Sequence, residues 1–122
     1  MEPGDRRKRS LVRTDPAVVS RQFDAHRTRL QAGRHGPSFL VNLQSDLLSV
    51  GPTVVVAPLW QMRLRRAQPP ASVRIAFVDE EYWLILTDIA YIRTADLGPF
   101  AGTIAHERDR IIRGLDLLFT GI

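Results

Sequence analysis

The chain has 122 residues, 44% of them hydrophobic and 25% charged, and no cysteine. This size and apolar share suit one domain that buries its own core. The missing cysteine excludes a disulfide framework and thiol chemistry and fits a reducing compartment. The formal net charge of +4 is uneven: residues 1–35 hold nine Lys and Arg against four Asp and Glu, and residues 36–122 hold eight against nine. No apolar run nears the ~20 residues of a membrane span. The basic stretch Arg6–Arg9 is followed by no apolar signal core, so a cytoplasmic protein without a membrane partner is expected.

In chain order, residues 1–20 are rich in Arg, Pro and Asp without apolar periodicity. They read as a disordered basic N-terminal extension, and residues 21–122 as the folded domain. Such an arm attracts phosphate nonspecifically, but few aromatics accompany its arginines, which favours a solvated leader. Gln22–His26 reads as a first strand and Leu30–Pro37 as a loop. Ser38–Leu43 has the β-branched and aromatic content of a second strand, which Gln44-Ser45-Asp46 breaks. After the Gly51-Pro52 turn, Thr53–Ala57 is a strand apolar on both faces. Pro58 and Leu59 are expected to end it, because proline has no amide to donate.

Gln68-Pro69-Pro70 is a loop. Val73, Ile75 and Phe77 alternate onto one face of a strand. Asp79-Glu80-Glu81 reads as a solvated hairpin tip, and Tyr82–Thr87 as the returning strand. Ile89–Ile92 forms a further short strand, and Asp96–Pro99 leads out of it. From about Thr103 to Phe119 the period lengthens. Ile104, Ile111, Leu115 and Leu118 share one helical face, and Glu107 with Arg110 and Asp109 with Arg113 can pair on the polar side. Gly114 weakens this helix by roughly 1 kcal/mol, which implies a packing reason for it. Five or six short strands and one terminal helix suit a small antiparallel barrel or sheet capped by the helix, a mainly β, α+β fold.

No catalytic constellation stands out. His26, His35 and His106 have no second histidine or carboxylate at metal-ligand spacing. Ser45 and Ser72 lack a nucleophile-elbow context, and Gly33 and Gly36 lack the strand–loop–helix setting of a phosphate loop. Trp60 and Trp83 read as core or interface aromatics. The residues point to a binding protein rather than an enzyme, with no cofactor and no metal. An RNA-cleaving site would need a base and a cation in one groove, for which Arg27, Arg29 and His35 are the candidates.

Several segments taken in order resemble the CcdB family of bacterial toxins. They are Gln44-Ser45-Asp46, Val56 through Pro58-Leu59, Trp83, Thr87-Asp88, His106, and Leu117 with Phe119, Gly121 and Ile122 at the chain's end. The resemblance spans about Arg21 to Ile122. It implies an SH3-like barrel of antiparallel strands with a small accessory sheet and a C-terminal helix. It further implies a two-fold homodimer, a toxin of a type II toxin–antitoxin module that serves plasmid maintenance, inhibition of DNA gyrase through its A subunit, and neutralisation by a CcdA-type antitoxin. Operator DNA is then met only indirectly, through the antitoxin. The gyrase-binding positions it implies are Leu47, Leu48, Asp116, Phe119, Thr120, Gly121 and Ile122. Leu47 and Leu48 replace the usual isoleucines, Asp116 an asparagine, and Thr120 a tryptophan that stacks on a gyrase arginine. A threonine forgoes that stacking contact, worth about 1–2 kcal/mol. Two alternatives stand beside this reading: a MazF-like endoribonuclease toxin on the same barrel, and a non-toxic CcdB-like binding module.

Overall fold

The computed structural model describes residues 19–29, 35–48, 51–66, 69 and 71–121. The expectations for residues 1–18, for residues 30–34 of the first loop and for Ile122 lie outside the described residues. Among the described residues seven strands form one antiparallel sheet: β1 Asp24–Arg27, β2 Phe39–Asn42, β3 Thr53–Gln61, β4 Ser72–Phe77, β5 Glu80–Ile85, β6 Ala90–Arg93 and β7 Phe100–Thr103. They run in the order β4-β5-β3-β2-β1-β7, with β6 also pairing β3. One helix, α1 Arg108–Thr120, follows a short 3-10 turn at Ala105–Glu107. The architecture is the expected mainly β one: a curled, barrel-like antiparallel sheet with a C-terminal helix.

β3 is the spine of this sheet and corrects the expectation that Pro58 ends it. Its first half pairs β6, from Thr53 opposite Arg93 to Val56 opposite Ala90. Its second half pairs β5, from Leu59 opposite Leu84 to Gln61 opposite Tyr82. On its other side Val56 to Leu59 pair β2, Pro58 lying opposite Leu40. The Leu43 amide donates to the Val55 carbonyl at 2.9 Å, so alternation makes Pro58 and Leu40 a non-hydrogen-bonded pair. An amide at Pro58 would therefore point away from β2, to where β6 gives way to β5. The proline stands at the one register break in the strand, and the strand runs on.

The expected two-sided burial of β3 is seen. Ala57 and Leu59 are fully buried in the main core, while Val54 and Val56 face the opposite way and pack with Leu97, Leu40 and Ile92. Inside the barrel, Val73, Ile75 and Phe77 meet Leu84 and Tyr82, and Ile104 and Ile111 close the end. Phe77, Phe39 and Tyr82 pack edge to face, with Phe39 5.1 Å from Phe77 and 5.5 Å from Tyr82. β4 and β7 are the two ends of the sheet. They meet through the Phe77 ring, which lies 3.0 Å from where a β carbon at Gly102 would sit. Glycine at 102 admits the ring, and its φ of 153° is a conformation other residues resist.

Three further boundaries differ from expectation. β7 forms over Phe100–Thr103 because Asp24–His26 offers its open edge there, and the helix expected from about Thr103 begins only at Arg108. The hairpin turn is Val78-Asp79, not the acidic cluster, and Glu80 and Glu81 belong to β5. Val78 and Asp79 have φ of 50° and 62°, the two positive values of a type I′ turn, whose twist matches the flanking strands. A β-branched residue is strained there. Finally, β5 ends at Ile85 in a 3-10 turn, Leu86–Asp88, rather than running to Thr87.

His26 is a buried core histidine. Its Nδ1 lies 3.0 Å from the Gly98 carbonyl and its Nε2 2.9 Å from the Ser20 hydroxyl. Asn42 donates to the same hydroxyl at 3.0 Å and accepts from the Gln44 amide at 2.8 Å. The chain of bonds satisfies two buried polar side chains and ties the segment before β1 to the loop before β7. Tyr82, lining the barrel, has its phenol pushed above the ordinary value, by burial first and then by the charge of Glu80, with Arg27 opposing.

Candidate functional site

Helix α1 lays one face on the barrel and turns another outward. Ile111 is fully buried, and Ile112, Leu115 and Leu118 pack partly against the core. Gly114 is buried, and with Ser72 and Val73 of β4 it lines the cleft between strand and helix. Arg110 pairs with Glu107 at 2.8 Å as expected, but no ion pair joins Asp109 to Arg113. Those two instead line a shallow hollow on the outward helix face with Arg108, Ile112 and Asp116.

The helix ends on an exposed aromatic. Phe119 is 70% exposed although it stands four residues after the core-packed Leu115, on the same helix face; it lies on the last turn of the helix. Asp116 and Thr120 are exposed beside it, and the Thr120 hydroxyl donates to the Asp116 carbonyl at 2.6 Å. The threonine thus turns back on its own helix. Gly121 has a φ of 79°, and its amide donates to the Leu117 carbonyl at 3.1 Å. This left-handed cap closes the helix as its glycine predicts. Nothing lies within 4 Å of a β carbon built at Gly121, so the dihedral alone selects glycine.

Leu47 and Leu48 form a second exposed patch, 89% and 66% accessible, on the 3-10 turn Asp46–Leu48. The preceding Gln44-Ser45-Asp46 holds that turn. Gln44 donates through Nε2 to the Leu48 carbonyl at 2.8 Å and accepts from the Val55 amide at 3.3 Å. Ser45 accepts from the Leu47 amide at 3.2 Å, and Asp46 accepts from the Gln22 amide at 2.8 Å. These three polar residues keep two leucines out of the core, a role the sequence left unassigned. Gln22 also accepts from Arg108 at 3.5 Å, so this turn neighbours the start of α1. At 1.5 Å per residue, Phe119 lies about 17 Å further along the helix. One chain therefore gathers Asp116, Phe119, Thr120 and Gly121 at one end and leaves Leu47 and Leu48 near the other.

The RNA-cleaving candidates do not converge on a carboxylate. Arg27 lies over the Phe39 ring at 5.4 Å, Arg29 donates to the Leu97 carbonyl at 3.2 Å, and His35 is exposed in a turn. Among the described residues, no three His, Asp or Glu gather as metal ligands, and no helix is long and apolar enough to cross a membrane.

The family described as CcdB protein matches residues 22–121. A comparison with curated proteins found no match. Among solved structures, an endoribonuclease in complex with its cognate antitoxin, from a mycobacterial species, is similar with a TM-score of 0.64. It is 15% identical, and the match covers 80% of this chain and 92% of that one. At that identity the likeness is one of fold alone.

Proposed function

The chain belongs to the CcdB family of toxins of toxin–antitoxin modules, and from that premise we propose that it acts by binding DNA gyrase, without catalysis. The observation that carries this is Phe119, a large aromatic held 70% exposed at the end of a well-capped helix. An exposed aromatic on a rigid element is the usual anchor of an interface. The binding surface is Asp116, Phe119, Thr120, Gly121 and Ile122, with Leu47 and Leu48 as a second contact some distance away. A two-fold homodimer would set two helix ends side by side and double the anchor. A CcdA-type antitoxin would neutralise it and mediate any contact with operator DNA. An antitoxin partner agrees with the structural neighbour's being in complex with its own. The engagement of Arg27 with Phe39 and of Arg29 with Leu97 supports binding over RNA cleavage.

The test is a gyrase supercoiling assay with the wild type, Phe119→Ala and Thr120→Trp, beside total RNA incubated with the wild type. Inhibition by the wild type is expected, at least tenfold weaker for Phe119→Ala and stronger for Thr120→Trp. No inhibition by any of the three overturns the gyrase reading, and degraded RNA moves the function to an endoribonuclease toxin.

A further inference from the structure

Outside the helix end, the outer face of the β4-β5-β3 layer carries an aromatic and cationic row. Trp60 of β3 lies directly opposite Trp83 of β5, which lies directly opposite Arg74 of β4. Their neighbours in register, Leu59, Leu84 and Val73, are buried in the core, so this row faces outward. Both indoles are half-buried, and directly opposed residues hold their β carbons about 5 Å apart. The Arg65 guanidinium sits 5.1 Å from the Trp60 ring centre and pairs with Asp88 at 2.9 Å. Arg74 pairs with Glu81. Arg63 and Arg66 are exposed on the segment that leaves β3, and among the described residues neither has an ion-pair partner. The row's two carboxylates are thus each engaged by one arginine, which leaves Arg63 and Arg66 as surplus cations. The Trp60 indole N–H is buried without an acceptor.

We propose that this row is a binding site for single-stranded nucleic acid, with bases stacking on Trp60, Trp83 and the Arg65 plane and phosphates meeting Arg63, Arg66 and Arg74. Indoles and guanidinium planes offer stacking faces to any base, and flanking arginines track a phosphate backbone. The setting selects this occupant over an acidic peptide. Peptides add to an open strand edge or lie in a groove, and these tryptophans sit within the sheet face on strands paired on both sides. The site is separate from the gyrase-facing helix end and does not depend on that reading.

The chain has two tryptophans and both stand in this row, so its indole emission reports on the row alone. The experiment titrates the full wild-type chain with a twelve-residue oligouridylate, the same length of duplex, and polyglutamate, at 50 and 200 mM salt. Expected are quenching by the single strand, weaker quenching by the duplex, and none by polyglutamate. In Arg63→Ala/Arg66→Ala, a surface variant, loss of two phosphate contacts should lower the salt slope by about 1.4. Trp60→Leu, its fold checked by circular dichroism, should bind about tenfold more weakly. Four results overturn the proposal: absent quenching, equal quenching by duplex, quenching by polyglutamate (a site for acidic protein), or an unchanged salt slope in the double variant.

Discussion

The middle of β3 and the end of α1 hold similar residues and meet opposite fates. Ala57 and Leu59 reach zero exposure because strands flank β3 on both edges and side chains cover both faces. Phe119 remains 70% exposed, because it stands on the last turn of the helix, where the core-packed positions end at Leu118. Hydrophobic character alone does not separate the two, but their place in the element and their neighbours do. Burial at β3 holds the fold together, and exposure at the helix end leaves apolar area free for a partner.

Substitutions in the two regions should therefore separate stability from binding. The largest effect is expected for Leu59→Ala, about 3 kcal/mol of lost stability in urea denaturation from transfer and cavity terms together. Gyrase inhibition per folded molecule should stay unchanged. His26→Ala should follow at about 2 kcal/mol, since it removes a buried ring, takes the ring partner from the Gly98 carbonyl and leaves the Ser20 hydroxyl with its Asn42 bond alone. Val78→Gly should act in the opposite sense, raising stability by about 1 kcal/mol as the φ of 50° becomes unstrained. A lower melting temperature would refute the strain assignment.

A smaller effect should appear in alkali. The Tyr82 phenol is raised above 10.0 in the folded chain, so the native state holds its proton longer than the unfolded state does. This contribution is fully present below pH 10 and is lost as pH rises through the raised folded value. Tyr82→Phe should flatten that alkaline fall in a pH series of melting temperatures. Smallest of all is Phe119→Ala, expected to change stability by less than about 0.5 kcal/mol while weakening gyrase inhibition most. A large loss of stability there would mean that Phe119 is a packing residue.

The sequence displayed those elements whose pattern has one period and one clear neighbour. The alternation of Val73, Ile75 and Phe77 and the helical spacing of Ile111, Leu115 and Leu118 carried over directly, whereas Ile104 lies ahead of the helix. Where a partner strand decides the outcome, local residues misled. Pro58 reads as a stop until a register break absorbs its missing amide. Phe100–Gly102 carries no strand pattern of its own and becomes a strand because β1 supplies an edge to pair with. At the candidate site, the polar Gln44-Ser45-Asp46 was visible as a pattern, but its work of propping up Leu47 and Leu48 depends on bonds to Gln22 and Val55. The half-exposed Trp60 and Trp83 could not be told from core aromatics, because their cross-strand pairing joins segments 23 residues apart.

The contact of Phe77 with Gly102 gives the barrel a seam. Everywhere else along the sheet, neighbouring strands are stitched by backbone hydrogen bonds, which break only in concert. Between β4 and β7 the Phe77 ring rests on Gly102, and no ladder of strand pairing joins the two. The cylinder can therefore gape along this line without unzipping a ladder. Breathing motions of the wall should begin there, far from the spine at β3.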